Sequence, residues 1–362
     1  MSKIEELLNR TVRDETNVTK GSLSVYIVII CSVIISVIIS LLLLQGLYYV
    51  ADVDGYLQDN KQIINLYDFY DQKVGENETA VFFIGSSNMG YSIYPPEINN
   101  LIKENYQNIT TYNLYHGGDI PIERAMEVQK IIDAKPSLVI YGITYRSVTD
   151  KIDSARFFER TKLVNSRLNI RDDSKWLYSD DEKMHFAPLS DHFAPLSDFG
   201  KKMYLFSAIE YKLNSAHNSI NYSFDPLGEN IRSSLMKDEA RIIKEVNNPN
   251  SAWHPAVTNE STRYKDALLY NVKTLQDAGI PVIILNMPLH PLLSEKITDE
   301  SRANFFELLN ETGAEWYDLE RDYGDDFFWD SHHATYDGAL KFAPRMADLI
   351  IEQVEKDVIH YT

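Results

Sequence analysis

Residues Leu23 to Leu44 form an almost unbroken run of isoleucine, valine and leucine without a single charge. A buried core helix of a water-soluble domain does not fit this length and purity. Its length of roughly 20 residues matches the hydrocarbon thickness of a bilayer, which predicts a membrane-spanning helix over 23–47. A cleaved leader has a shorter apolar core of about 7–15 residues and a small-residue cleavage site. Gln45-Gly46-Leu47-Tyr48-Tyr49 offers no such site, and its two tyrosines suit a membrane interface. Lys3, Arg10, Arg13 and Lys20 precede the span, whereas Asp52, Asp54 and Asp59 follow it with Lys61 the only nearby cation. The positive-inside rule therefore puts residues 1–22 in the cytoplasm as a short tail. Everything after the single pass lies outside the cell membrane.

Cys31, the only cysteine of the 362 residues, falls inside this span. The outside part has no disulfide and must be held by an ordinary hydrophobic core, which its size allows. The net charge of −18 argues against nucleic acid and against docking on anionic lipid. Asn-x-Ser/Thr triplets at Asn77, Asn108, Asn221, Asn259 and Asn310 are frequent chance patterns and permit glycosylation without requiring it.

Residues 48–78 are polar and aromatic and predict a helical stalk. From 79 onward, strand and helix patterns alternate. Val81 to Gly85 is a first strand, Ile109 to Leu114 a second and Ser137 to Tyr141 a third. Pro281 to Leu285 is a fourth and Ala314 to Leu319 a fifth. Helical patterns lie between them at Pro95–Tyr106, Ile122–Ala134, Thr262–Asp277 and Glu300–Leu309, and Tyr336–Val358 closes the chain. This alternation predicts an α/β domain over 79–362. It is a flavodoxin-like three-layer sandwich around a five-stranded parallel sheet of order 2-1-3-4-5. Residues 146–260 break the rhythm and form a long polar insertion, with helical pattern near 201–213 and 231–246. It includes a tandem heptad, His185 to Asp191 followed by His192 to Asp198. Two copies do not build a solenoid, so the heptads are a local duplication in a loop that partly covers the active edge of the sheet.

The first strand runs into Gly85-Ser86-Ser87-Asn88. In a parallel α/β sheet, ligands bind at the carboxyl ends of the strands, so a serine there can present a nucleophilic hydroxyl. Ser and Asn are also favoured helix caps, and this stretch taken alone reads better as a cap. A serine nucleophile needs a base oriented by a carboxylate. Trp329-Asp330-Ser331-His332-His333 supplies one at the same sheet edge. Asp330 and His333 are three apart, within reach across a turn, and His332 is the rival base. A metal reading of Asp325, Asp326, Asp330, His332 and His333 lacks regular ligand spacing. Acyl chemistry also needs donors for a developing oxyanion. Gly117-Gly118 after the second strand and Thr144 after the third stand where such donors belong, and His116 beside them suits a structural role.

These residues resemble the blocks of the SGNH (GDSL-like) hydrolases and acyltransferases. Gly85-Ser86-Ser87 resembles the first block, Asn113 to Gly118 the second, and Asp330, His333 and Gly338 the last. The resemblance covers roughly 81–144 and 281–358. It implies Ser87 as nucleophile, His333 as base and Asp330 as its orienter. The Ser87 N–H and Gly118, with Thr144 in the place of the usual asparagine, would receive the oxyanion. Ser86 stands where the family has aspartate. The single anchor and outside orientation look like the D-alanine-transfer and alginate-O-acetylation branches, which act on surface polymers with a membrane-embedded partner. The expected function is acyl transfer or ester hydrolysis on an acylated surface glycan or polymer, without cofactor or metal, beside a multi-span membrane acyltransferase. The competing expectation is a non-catalytic scaffold of the same fold that binds a polymer or a membrane partner.

Overall fold

The computed structural model describes residues 3–50, 61–72, 75, 78–149, 171–179, 225–228, 236–248, 257–260 and 262–359. The tandem heptad at 185–198 and the helical pattern at 201–213 lie outside them. Helix α1 spans Lys3–Val50. Its segment Val25–Leu47 has a mean hydropathy of 3.3 and no buried residue, so it is long and apolar enough to cross a membrane. Cys31 is exposed on it. Helical backbone continues through the polar tail before the span.

The second unit of the chain carries the sheet. In chain order its elements are α2 (Lys61–Asp71), β1 (Thr79–Gly85), α3 (Ser87–Ser92), α4 (Pro95–Lys103), β2 (Ile109–Asn113), α5 (Pro121–Ala134) and β3 (Leu138–Ile143). There follow α6 (Glu239–Asn247), α7 (Arg263–Asp277), β4 (Val282–Asn286), α8 (Asp299–Glu311), β5 (Glu315–Asp318) and α9 (Tyr336–Glu355). All pairings are parallel and the order is β2-β1-β3-β4-β5, as the alternation predicts. The chain turns to opposite sides after β1 and after β2, so the switch point lies between β1 and β3, and the loop carrying Ser87 leaves from it.

Period-two side-chain alternation splits the core across the sheet. Ala80, Phe82, Ile84, Val139, Tyr141, Val282 and Ile284 face one side, among residues of α5, α7 and α8. Val81, Phe83, Leu138, Ile140, Ile283 and Leu285 face the other, among residues of α4 and α9. Each fully buried side chain of this size contributes about 1.5–3 kcal/mol, so the sheet needs no covalent staple. β5 is short and polar at both ends, which suits an edge strand. Threonines cap three helices: Thr262 accepts from Lys265 N, Thr298 from Ser301 N and Thr335 from Gly338 N.

Two expectations change. The helix expected in the stalk is α2, but it is not a free stalk. Its Leu66, Phe69 and Tyr70 are buried in the first core, with the Phe69 ring 5.0 Å from that of Tyr112 on β2. An aromatic stretch that looks like a spacer is a packing face once the sheet offers it a partner. The insertion, likewise, is more than a cover. Leu177 and Tyr178 pack with Ile120 and Ile122, and Ile242, Val246 and Val257 join the main core.

Candidate active site

β1 ends at Gly85, whose φ of +145° is open to glycine and strained for other residues. Any Cβ there would overlap the carbonyl oxygen of Gly142, its register partner on β3. The close approach lets the chain turn sharply into α3. Ser86 takes the N-cap position with extended backbone, yet makes no capping bond. Its hydroxyl instead donates to Asn88 Oδ1 at 3.1 Å. The cap position is therefore Ser86, and Ser87, the first helical residue, keeps its hydroxyl for another partner. Ser87 Oγ lies 2.7 Å from His333 Nε2.

The base comes from the loop between β5 and α9. Trp329 N–H donates to His333 O at 3.0 Å and closes residues 329–333 into a tight turn. Inside it Asp330 is completely buried. Its Oδ1 accepts the N–H groups of His332 (3.0 Å) and His333 (2.9 Å), and its Oδ2 lies 2.8 Å from His333 Nδ1. Burial opposes charge on Asp330, but the facing His332 and His333 rings and these bonds outweigh it, holding its carboxyl well below the usual range. An ionised carboxylate has no hydrogen to give, so Nδ1 carries the ring proton and Nε2 accepts from Ser87. The His333 ring is flanked by Tyr91, at 4.7 Å, and by Trp329, stacked at 5.5 Å with an interplanar angle of 10°. His332 Nδ1 meets Ser331 Oγ at 2.9 Å, and burial pushes its imidazole well below the ordinary value. Its carbonyl accepts from Asn88 Nδ2 at 3.0 Å, which ties the base loop to the helix that carries Ser87.

Gly118 and Thr144 lie on the loops after β2 and β3, at the same sheet edge. Gly118 has φ +69° in the turn before α5, a second position that favours glycine. Thr144 caps the turn Tyr145–Val148 through a reciprocal pair with Ser147. Thr144 N–H donates to Ser147 Oγ at 3.2 Å, and Ser147 N–H donates to the Thr144 carbonyl at 2.9 Å. Asn113 Nδ2 donates to Gly90 O and Ile93 O, each at 3.0 Å, so both amide hydrogens hold the end of α3.

Beneath this edge is a buried charge cluster that the sequence reading did not single out. Arg124, 1% exposed, donates to Asp119 Oδ2 at 2.7 Å and Glu127 Oε2 at 2.9 Å. It also reaches Gly85 O at 3.3 Å and Leu114 O at 3.1 Å, the ends of β1 and β2. His116 faces Asp119, Glu123 and Glu127 at 3.2–3.7 Å. The signal in sequence is Arg124 three residues before Glu127 on a helix face that otherwise carries Val128 and Ile131. Among the described residues, two three-residue sets have their potential metal-ligating atoms within 4.8 Å: Asp330, His332, His333 and His116, Asp119, Glu123. In the first, both Asp330 oxygens already accept from protein donors. In the second, Asp119 Oδ2 is taken by Arg124.

Comparison with known proteins adds little. One family model matches residues 255–355, a minority of the chain, and assigns no activity. No curated protein matches. Among solved structures, a gut microbial diltiazem-metabolizing enzyme aligns with 76% of this chain at 10% identity and a TM-score of 0.31. The chain spans less than half of that protein, 46% of its length. A likeness at this level carries no argument about activity, so the function rests on the site.

Proposed function

We propose that this protein is an SGNH-type serine esterase or O-acyltransferase that uses Ser87, His333 and Asp330. The observation that carries the reading is the continuous chain Ser87 Oγ–His333 Nε2–His333 Nδ1–Asp330 Oδ2, at 2.7 and 2.8 Å. Ser87 Oγ attacks the acyl carbonyl carbon while His333 Nε2 takes its proton, and the ionised Asp330 stabilises the imidazolium. The oxyanion is received by the Ser87 and Gly118 N–H groups and the Thr144 hydroxyl. His333 then returns the proton to the leaving alcohol. An acceptor hydroxyl or water, deprotonated by His333, attacks the acyl-enzyme and releases Ser87. These groups suffice without metal or cofactor.

The apolar helix and the charges that flank it support an extracytoplasmic site on a single-pass protein at the cell membrane. The substrate class we assign is an acylated surface glycan or polymer, served beside a multi-span membrane acyltransferase. The test uses full-length protein in detergent, an activated acetyl ester and candidate glycans, with products followed by mass spectrometry. A fluorophosphonate probe should label Ser87, and Ser87→Ala should abolish both labelling and turnover. Acylated glycan that depends on Ser87 supports transfer, and free acid alone with every acceptor moves the reading to hydrolysis. Equal turnover by Ser87→Ala would leave the non-catalytic scaffold.

A further inference from the structure

We infer that Arg241, locked by Glu245, is a positioning residue for the base loop, so that the insertion sets the alignment of His333. This rests on the proposed Ser87 chemistry. Asp238, Arg241 and Glu245 are three and four residues apart, which brings them to one face of α6 and its N-cap. That face grips three consecutive loop residues. Asp238 N–H donates to Trp329 O at 2.8 Å. Arg241 Nη2 stands 3.4 Å from Asp330 Oδ2, the oxygen that also meets His333 Nδ1. Glu245 Oε2 accepts from Ser331 Oγ at 2.6 Å. Arg241 Nε donates to Glu245 Oε1 at 2.8 Å, joining the two grips into one frame.

The guanidinium also lies over the Trp329 ring, 4.7 Å from its centroid, and that ring stacks on His333. Arg241 therefore reaches the base by two routes, through the carboxylate and through the indole. A planar guanidinium serves both contacts, and an ammonium would keep only the charge. Ile242 and Val246 anchor α6 in the core, so the frame is attached to something rigid.

The frame has an electrostatic consequence. Asp330, Ser87, His332, Tyr91 and Trp329 meet the His333 ring directly, and behind them Arg241 faces Asp330, Glu245 faces His332, and Arg146 acts on His332. A cation beside Asp330 disfavours the imidazolium, and a carboxylate beside His332 favours it. Removing one or the other should move the acid limb of the rate profile in opposite directions.

The experiment measures kcat and KM for an activated acetyl ester against pH on the full chain in detergent, with melting temperatures as a folding control. Arg241→Gln should lower kcat about ten- to a hundredfold with KM little changed. It should also move the acid limb to higher pH. Arg241→Lys should restore the limb but only part of kcat. Glu245→Gln should move the limb down. Superimposable profiles, a change confined to KM, or equal behaviour of Gln and Lys would overturn the assignment. If turnover proves independent of Ser87, the acyl chemistry falls. Positioning is then judged by NMR titration of the His333 ring, whose midpoint must rise in Arg241→Gln. An unmoved midpoint overturns it.

Discussion

Two arginines flank the Ser87 edge, each held by an aspartate and a glutamate, and they differ in how much water they see. Arg124 is buried and binds Asp119, Glu127 and the carbonyls that end β1 and β2. Arg241 binds Glu245 and faces Asp330 with 43% of its side chain exposed. The first assembly is a structural knot, because desolvated charges left without partners are costly. The second can be rearranged with water replacing what is lost. The nucleophile side is thus fixed by the interior of the fold, and the base side is adjustable from the surface of the insertion.

The strongest way to break this contrast is Arg124→Ala. It strands Asp119, Glu127 and two strand-end carbonyls, and should cost about 3–5 kcal/mol. Urea unfolding monitored by circular dichroism would read it as a large fall in midpoint. Next is Asn113→Ala, which removes both amide hydrogen bonds at the end of α3 and should cost about 1–3 kcal/mol. Its turnover should fall with stability, since α3 loses its tie to β2.

Acid sharpens the comparison further. Burial opposes charge on Glu127, but Arg124, His116 and the hydrogen bonds from His116 and Tyr67 together outweigh it and hold the carboxyl below its ordinary value, and Asp330 is held low as well. Carboxyls depressed in the fold stabilise it above their unfolded values of about 4 and lose that contribution as pH falls through the folded values. Stability should drop below about pH 4, at up to roughly 1.4 kcal/mol per pH unit for each group. Asp330→Asn and Glu127→Gln should each flatten this dependence in denaturant titrations at stepped pH. The smallest stability effect belongs to Arg241→Ala, about 1 kcal/mol or less. A loss as large as that of Arg124→Ala would erase the distinction.

Much of this was legible in the sequence because it is local. Short continuous apolar runs bounded by Gly85, Gly142 and Pro281 give the strands, and Thr262 followed by a periodic run gives a capped helix. The Asp330–His333 spacing is a short turn, so the carboxylate–imidazole contact follows from three residues of chain. What stayed hidden is contact between distant segments. Nothing near Leu66 or Tyr70 says that they pack on the sheet, because their partners lie on β1 and β2. Arg241 and Asp330 are joined only by the fold, and a polar insertion gives no sign that its Ile242 and Val246 enter the core. Ser86 and Ser87 are alike in sequence, and only the backbone at the start of α3 decides which one takes the cap position.

The pairing of β3 with β4, Val139 against Val282 onward, joins strands separated by roughly 140 residues of chain. At the usual pace of synthesis, on the order of ten seconds pass between the two. During that interval β3 presents an open hydrogen-bonding edge and an apolar face, the combination that recruits other strands. The fold cannot close from its amino-terminal end alone, and the stretch that delays it also delivers the helix that grips the base loop.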